Sequence, residues 1–369
     1  MSSLLITGAT GFLSGAVLAK ALSENAFDHY LLLVRASSAE EGLSRIKENL
    51  QRFACDEKSL SSLSLQNIII GDLAEPDRFL NDERLLEVTH VINAAAVASF
   101  GENALIWKVN VEGTLKFARR MANVRKLKRF LHVGTAMSCI PEAGALVTES
   151  ITHKEEEEHL VQYTWSKSSI EQLMLEQCPA LPLVIARPSI VVGHSSLGCR
   201  PSSSIFWVFR MALMLGKFMC SLGDKIDVIP VDYCAEALLM LVKRRTVEER
   251  VYHVSAGDER SVSFAEIDRA IADALGQPPL SSDYRQVDYE DLIQCRREFK
   301  TIYGPCNERL MLRAMRLYGE FSRLNVRFSN KKLLGLGMPH PPRFVDYIRH
   351  CVETTRGTSI PEMMKVDFK

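Results

Sequence analysis

The sequence predicts an α/β fold, a doubly wound parallel sheet followed by a smaller C-terminal α/β lobe. Three observations carry that expectation. Short apolar runs of strand length alternate with helix-length segments through the first half of the chain. A glycine-rich turn, Thr7-Gly8-Ala9-Thr10-Gly11, joins the first apolar run to the first helix. The 369 residues are enough to bury a core of this size.

Leu4, Leu5 and Ile6 have no polar interruption, as a strand buried on both faces requires. A helix follows from Phe12 to Leu22. Tyr30–Val34 is the second strand, and Ala39–Phe53 an amphipathic helix. Asn67–Ile70 and Val88–Ala94 are the third and fourth strands. Asn103–Ala122 is a long helix and Arg129–Val133 the fifth strand. His159–Gln177 is another helix, and Leu183–Ala186 the sixth strand. Right-handed crossovers then place helices on both faces of the sheet. Beyond Pro188 the alternation is less regular. Strands Asp227–Pro230 and Tyr252–Val254 mix with helices Asp232–Lys243, Ser263–Leu275 and Asn307–Leu324. Two domains are expected: residues 1–188, and a lobe over 189–369 with elements returning to the sheet. The acidic run Glu155–Glu158 reads as a solvated helix start.

Composition narrows the function. The 45 basic and 45 acidic side chains cancel. This argues against nucleic acid as an obligate partner and against a strongly charged membrane surface. The nine cysteines (55, 139, 178, 199, 220, 234, 295, 306 and 351) are scattered and form no Cys-x-x-Cys pair. Neither a disulfide framework nor a metal site is expected. A reducing cytoplasm fits, and because the opening residues read as the first strand no leader is expected before it. Ile205–Leu222 is the most apolar stretch, but Arg210 and Lys217 interrupt it too much for a membrane span.

The glycine turn prepares a site for a dinucleotide pyrophosphate. Gly8 can adopt backbone angles closed to other residues, and Gly11 lets the main chain approach a phosphate. The helix starting at Phe12 and Leu13 aims its N–H groups and dipole at that anion, with Thr10 in the turn beside it. Arg35 ends the second strand, where an acid would bond a ribose 2′-hydroxyl in an NAD site. A guanidinium suits a 2′-phosphate, so NADP(H) is the expected cofactor, with Arg45 assisting from the next helix. After the third strand, Asp72 either accepts from the adenine amino group or caps the next turn, with Leu73 adjoining it. Ala94 and Ala95 end the fourth strand with side chains small enough for a cofactor to lie against. Asn110 is expected to tie the following helix to the sheet.

Tyr163 and Lys167 are one helical turn apart and share a face. A nearby ammonium is expected to lower the phenol pKa toward a useful range, and Lys167 can also bond the nicotinamide ribose. Average composition gives roughly one Tyr-x-x-x-Lys by chance in a chain this long, so position decides its value. This pair opens the helix after the fifth strand, and Thr135 stands just past that strand with a hydroxyl able to bond a carbonyl.

With these residues in place the chain resembles an extended short-chain dehydrogenase/reductase, with its Rossmann fold, over roughly residues 3–260. The resemblance rests on Thr7-Gly8-Ala-Thr-Gly11-Phe-Leu, Gly71-Asp72-Leu73, Asn93-Ala-Ala-Ala96, Thr135, Tyr163-x-x-x-Lys167 and Arg187-Pro188. It implies a catalytic Thr135, Tyr163 and Lys167, and puts Pro188 beside the cofactor. Within that family the chain is most similar to the thioester reductase and fatty acyl-CoA reductase, or male sterility, group. Leu31-Leu-Leu-Val-Arg-Ala36, Gly71-Asp-Leu-Ala-Glu-Pro76, Ala95-Ala-Val-Ala-Ser-Phe100 and Ile229-Pro-Val-Asp-Tyr233 carry that similarity. The chain departs from the family pattern at Ser14, where a third glycine is usual, at Gly134, and at Met137-Ser138.

The resemblance implies NADPH-dependent reduction of an acyl thioester, on CoA or on a separate acyl carrier protein, to an aldehyde or onward to an alcohol. The competing enzyme reading is a sugar-nucleotide epimerase or dehydratase, or a ketone reductase. Arg35 argues against an NAD-using epimerase, and Ala136-Met137 against a dehydratase. A non-catalytic NADP-binding sensor would not need Thr135, Tyr163 and Lys167 together. Phe206, Trp207, Phe209, Met211 and Met214 either line an acyl tunnel or belong to an ordinary lobe helix. Arg309, Arg313, Arg316 and Arg323 either receive a phosphopantetheine phosphate or acidic carrier, or form a solvated helix face.

Overall fold

In the computed structural model, which describes residues 1–99, 103–139, 141–150, 156–280 and 283–365, seven parallel strands form one sheet. They are β1 (Ser3–Thr7), β2 (His29–Val34), β3 (Ile68–Ile70), β4 (His90–Asn93), β5 (Arg129–Val133), β6 (Leu183–Pro188) and β7 (Val251–Val254). Their order across the sheet is β7-β6-β5-β4-β1-β2-β3. The order reverses between β1 and β4, so a crevice opens at the C-terminal ends of these two strands. The strands form because their side chains are apolar on both faces. All five residues of β1 are buried, and so are those of β5.

Five longer helices accompany this sheet: α1 (Phe12–Ser23), α2 (Ala39–Arg52), α3 (Thr114–Ala122), α4 (Gln162–Gln177) and α5 (Val231–Lys243). The compact unit around the sheet comprises Met1–Ile140, Glu149–Pro188 and Val231–Val254. Thus α5 and β7, from well beyond Pro188, belong to it, and β7 pairs with β6 from Val251↔Ile185 to Val254↔Pro188. The expected helix over Asn103–Ala122 begins at Leu105 and is interrupted. Lys108–Gly113 is wound as a π-helix between Leu105–Trp107 and α3. Gly113 has no room for a side chain, since a Cβ there would lie 1.7 Å from the Leu73 carbonyl oxygen. The expected helix start at His159 moves to Gln162, because Glu156–Glu158 forms a separate 3-10 turn. Phe100 and Glu155, named in the sequence motifs, lie outside the described residues.

The second unit comprises Pro141–Thr148, Ser189–Pro230 and Ser255–Lys369. Its core is aromatic. Phe209 lies 5.2 Å from Phe344 and 6.1 Å from Phe264, ring centre to ring centre, and Trp207 meets Tyr318 edge-on at 5.3 Å. Phe206, Trp207, Phe209 and Met211 are buried on the helix Phe206–Leu215, whereas Met214 points outward. These four side chains therefore serve as packed core, and the tunnel alternative has no support from them. Asp227 is buried, and its carboxylate accepts from the backbone N–H groups of Ala256 at 2.7 Å and Phe328 at 3.1 Å. On the helix Glu308–Arg323, Arg309, Arg313, Arg316 and Arg323 are exposed. Arg316 sits over the Tyr289 ring and Arg323 lies 3.4 Å from Asp288, as on an ordinary solvated face. Among the described residues no helix is long and apolar enough to cross a membrane.

Candidate active site

The glycine turn after β1 is built for close approach. Gly8 has φ of +69°, and a Cβ there would stand 3.0 Å from Ala95 Cα and 3.1 Å from Ala95 N. The turn therefore lies against the end of β4. Gly11 is exposed at the start of α1 and caps it without any side-chain hydrogen bond. Phe12 and Leu13 open α1, where backbone N–H groups have no intrahelical acceptor. The carbonyls of the turn face the other way. Asn49 on α2 donates from Nδ2 to the Ala9 and Gly11 carbonyl oxygens at 3.3 and 3.1 Å. This leaves the N–H groups at the start of α1 uncapped by any side chain, as a pyrophosphate site at a helix N-terminus requires.

Ser14 is no defect at this site. It is buried, and its hydroxyl donates to the Thr7 carbonyl oxygen at 3.2 Å. The packing glycine is Gly15, where a Cβ would lie 2.3 Å from Asn49 Nδ2 and 2.7 Å from the Phe53 ring. Asn49 is a residue that sequence reasoning missed. Its only signal was an amide on the buried face of an amphipathic helix.

At the ends of β2 and β3, three expected residues meet. Arg35 Nη1 lies 3.9 Å from Asp72 Oδ2, and Arg45 donates to the Arg35 carbonyl oxygen. Asp72 also accepts from Ala74 N at 2.9 Å, so it caps the turn. Its second oxygen faces Arg35 and the solvent. Leu73 beside it is buried and packs into the core. The Arg35 side chain is 70% exposed, held by one long ion pair, and so is available to an anion.

A polar chain crosses the middle strands. Thr7 Oγ1 donates to Asn93 Oδ1 at 2.7 Å and accepts from Ala95 N at 3.0 Å. Asn93 Nδ2 donates to His132 Nδ1 at 3.1 Å. Burial, with Lys167 and Arg187 nearby, holds His132 well below the usual imidazole range, so it is neutral and accepts at Nδ1. Asn110, in the π-turn, accepts from Val97 N at 2.8 Å and donates to the Val97 carbonyl at 3.1 Å. It also donates to Ser166 Oγ at 3.0 Å. Asn110 thus ties its helix to the loop after Ala94-Ala95 and to α4. A π-turn gives that one amide the reach for both.

The helix α4 carries Tyr163 and Lys167. Lys167 is buried and donates from Nζ to the Val133 carbonyl oxygen at 2.8 Å, at the end of β5. Thr135, two residues further, is half-buried, and its Oγ1 accepts from Met137 N at 3.3 Å. The turn Ala136–Cys139 after it packs against α4. The structure therefore brings Thr135 to the helix that bears Tyr163 and Lys167. Pro188 lies at the C-terminal end of β6, two strands from β4.

The electrostatics differ from the sequence expectation. Lys167 does not lower the Tyr163 phenol. Burial, followed by the Glu171 charge, pushes it up to about 12. Burial also brings Lys167 down to about 8, against the pull of Glu171. The phenol is consequently a proton donor at neutral pH, and the ammonium is charged there but close to losing its proton.

Comparison with known proteins agrees with this architecture. The male sterility protein family matches residues 6–238. A linear gramicidin synthase of Brevibacillus parabrevis is 31% identical over 64% of this chain, which spans 5% of that protein. A putative fatty acyl-CoA reductase of Drosophila melanogaster is 25% identical over 76% of this chain, which spans 60% of it. Among solved structures, the terminal R domain from the myxalamid PKS-NRPS biosynthetic pathway has the same fold. It aligns with a TM-score of 0.76 at 21% identity, over 96% of this chain and 91% of its own.

Proposed function

This chain belongs to the male sterility protein family, and we propose that it reduces an acyl thioester, carried on CoA or on a separate carrier protein, with NADPH. The observation that carries the reading is the bond from Lys167 to the Val133 carbonyl. It seats the helix bearing Tyr163 against the strand end bearing Thr135.

The residues present fit a dinucleotide. Gly8 lets the turn pack against Ala95 where a Cβ would collide, and exposed Gly11 leads into the uncapped start of α1. Arg35, with Arg45 bracing its backbone, would take the 2′-phosphate, and Asp72 would face the adenine. Thr10, Phe12 and Leu13 would line the pyrophosphate turn, and Ala94 and Ala95 the strand end. Lys167 and Pro188 would flank the nicotinamide ribose, with Asn110 holding the nearby loop. Bound NADPH supplies a hydride for the carbonyl carbon.

The chain's own residues supply the rest. The Met137 N–H already occupies a lone pair of Thr135 Oγ1, so the Thr135 hydroxyl proton is left to donate to the substrate carbonyl oxygen. Tyr163 donates to the same oxygen and gives up its proton as negative charge develops there. Lys167 stabilises the phenolate left behind. Collapse of the thiohemiacetal then expels the thiol and leaves the aldehyde.

The test is incubation of the protein with NADPH and a panel of acyl-CoA and acyl-carrier thioesters, free acids, ketones and sugar nucleotides. Aldehyde or alcohol should appear together with free thiol, and free acids should be inert. Turnover of a ketone or a sugar nucleotide, with no thiol released from any thioester, would replace this reading with a different reaction of the same fold.

A further inference from the structure

Glu171 and Arg187 are buried charges that the reduction chemistry itself does not use, with side chains 1% and 2% exposed. Glu171 stands one turn beyond Lys167 and two beyond Tyr163, on the same face of α4. Its Oε2 accepts from Arg187 Nε at 3.0 Å and from Arg187 Nη2 at 2.5 Å. Arg187, on β6, also donates from Nη1 to the Ser150 carbonyl at 2.8 Å. The other carboxylate oxygen presses on the turn after β5. A Cβ at Gly134 would stand only 2.1 Å from Glu171 Oε1. Gly134 itself is anchored, its N–H donating to the Ala186 carbonyl at 2.8 Å. One carboxylate therefore touches the residue before Thr135 on one side and is gripped by a guanidinium fork on the other. This also accounts for glycine at 134, because no side chain fits there while Glu171 stays in place.

A buried ion pair is a poor source of stability, since well-packed apolar residues of the same volume do as well. What it provides here is placement, because two charge-assisted bonds converge on one carboxylate oxygen and leave the other turned toward Gly134. We propose that Glu171, clamped by Arg187, is a positioning residue: it sets the Thr135 turn at a fixed distance from the helix face carrying Tyr163 and Lys167. The assignment rests on the reductase reading of those three residues.

The clamp has an electrostatic consequence. The Glu171 charge supports the Lys167 ammonium against burial. Among the described residues, the other titratable groups coupled to Lys167, Glu171 or Arg187 are Tyr163 on α4, neutral His132 on β5 and the burial-raised Cys139 thiol after β5. None of these supplies a second negative charge at neutral pH. Without the Glu171 charge, Lys167 should lose its proton at a lower pH.

The experiment uses the full chain with Glu171→Gln and, separately, Gly134→Ala. Folding is checked by thermal unfolding and NADPH binding by fluorescence. Glu171→Gln should keep NADPH binding, lose roughly 10²-fold in kcat with KM nearly unmoved, and show its alkaline fall in turnover at a lower pH than the parent. Gly134→Ala removes no charge but pushes the Glu171 carboxylate off the turn, so it should lower kcat with a smaller fall in the pH midpoint than Glu171→Gln. It also serves as the test should Glu171→Gln fail to fold. A third readout needs no substrate: the 13C titration of the Lys167 ε-carbon in the cofactor-free protein should move to lower pH in Glu171→Gln. Unchanged kcat in both variants overturns the positioning role. If the parent protein reduces no carbonyl compound, the thioester reading fails on its own. An unmoved Lys167 midpoint in Glu171→Gln would then overturn the positioning role independently.

Discussion

Replacing Tyr163 by Phe removes one hydroxyl and keeps the ring that packs at the start of α4. The size of the effect follows from the protonation state. With the phenol pushed up to about 12, only about one molecule in 10⁵ is ionised at pH 7, so essentially every molecule holds the proton that the reduced carbonyl needs. Loss of a positioned general acid costs roughly 10²–10⁴ in rate, or about 2.7–5.4 kcal/mol at about 1.36 kcal/mol per decade. The remaining rate should come from Thr135 and from the bound geometry. The glycine turn and Arg35 are remote from this hydroxyl, so NADPH affinity should persist. Single-turnover mixing of the protein–NADPH complex with an acyl-CoA, followed at the nicotinamide absorbance, measures the chemical step directly. Undiminished turnover would remove Tyr163 from proton donation. A fall caused by lost NADPH binding would show that the hydroxyl serves cofactor binding and not proton donation.

Three further outcomes follow. Lys167 at about 8 is mostly charged at pH 7, and charge lost above that value removes support from the phenolate. Turnover at saturating substrate should therefore fall about tenfold between pH 7 and pH 9. A flat profile across that range would contradict the role given to the ammonium. Arg35→Asp should erase or reverse a preference for NADPH over NADH in fluorescence titrations, whereas equal affinity of the unaltered protein for both would refute the assignment of Arg35. Phe209→Ala should destabilise the chain by about 3–5 kcal/mol in urea unfolding, as for a deleted buried aromatic, without altering acyl-length preference. A shift in that preference with little loss of stability would return this helix to a tunnel wall.

Much of the site was legible because its signals are local. The parallel sheet showed in uninterrupted runs such as Leu4-Leu5-Ile6, since a strand buried on both faces tolerates few polar residues. The glycine turn and the Tyr163–Lys167 pair showed because backbone freedom and helical spacing are properties of neighbouring residues. Several boundaries were legible for the same reason. Ser263 and Asn307 cap helices beginning at Phe264 and Glu308, each within one residue of the expected start.

What only the tertiary structure decided lies between residues distant in sequence. Asn49 reaches the turn at Ala9 and Gly11 from the far end of another helix, and nothing in the local pattern marks an amide as a brace. Glu171 shares the Tyr163 face by spacing, but its partners, Arg187 and the space above Gly134, come from other strands. The direction of the Tyr163 shift was misread for the same reason. Proximity of Lys167 along a helix says nothing of burial, and burial with a buried carboxylate outweighs it. Phe206, Trp207, Phe209 and Met211 are apolar in any reading. Whether such side chains bound a cavity or fill one depends on which rings meet them, and that is set by packing between helices far apart in the chain.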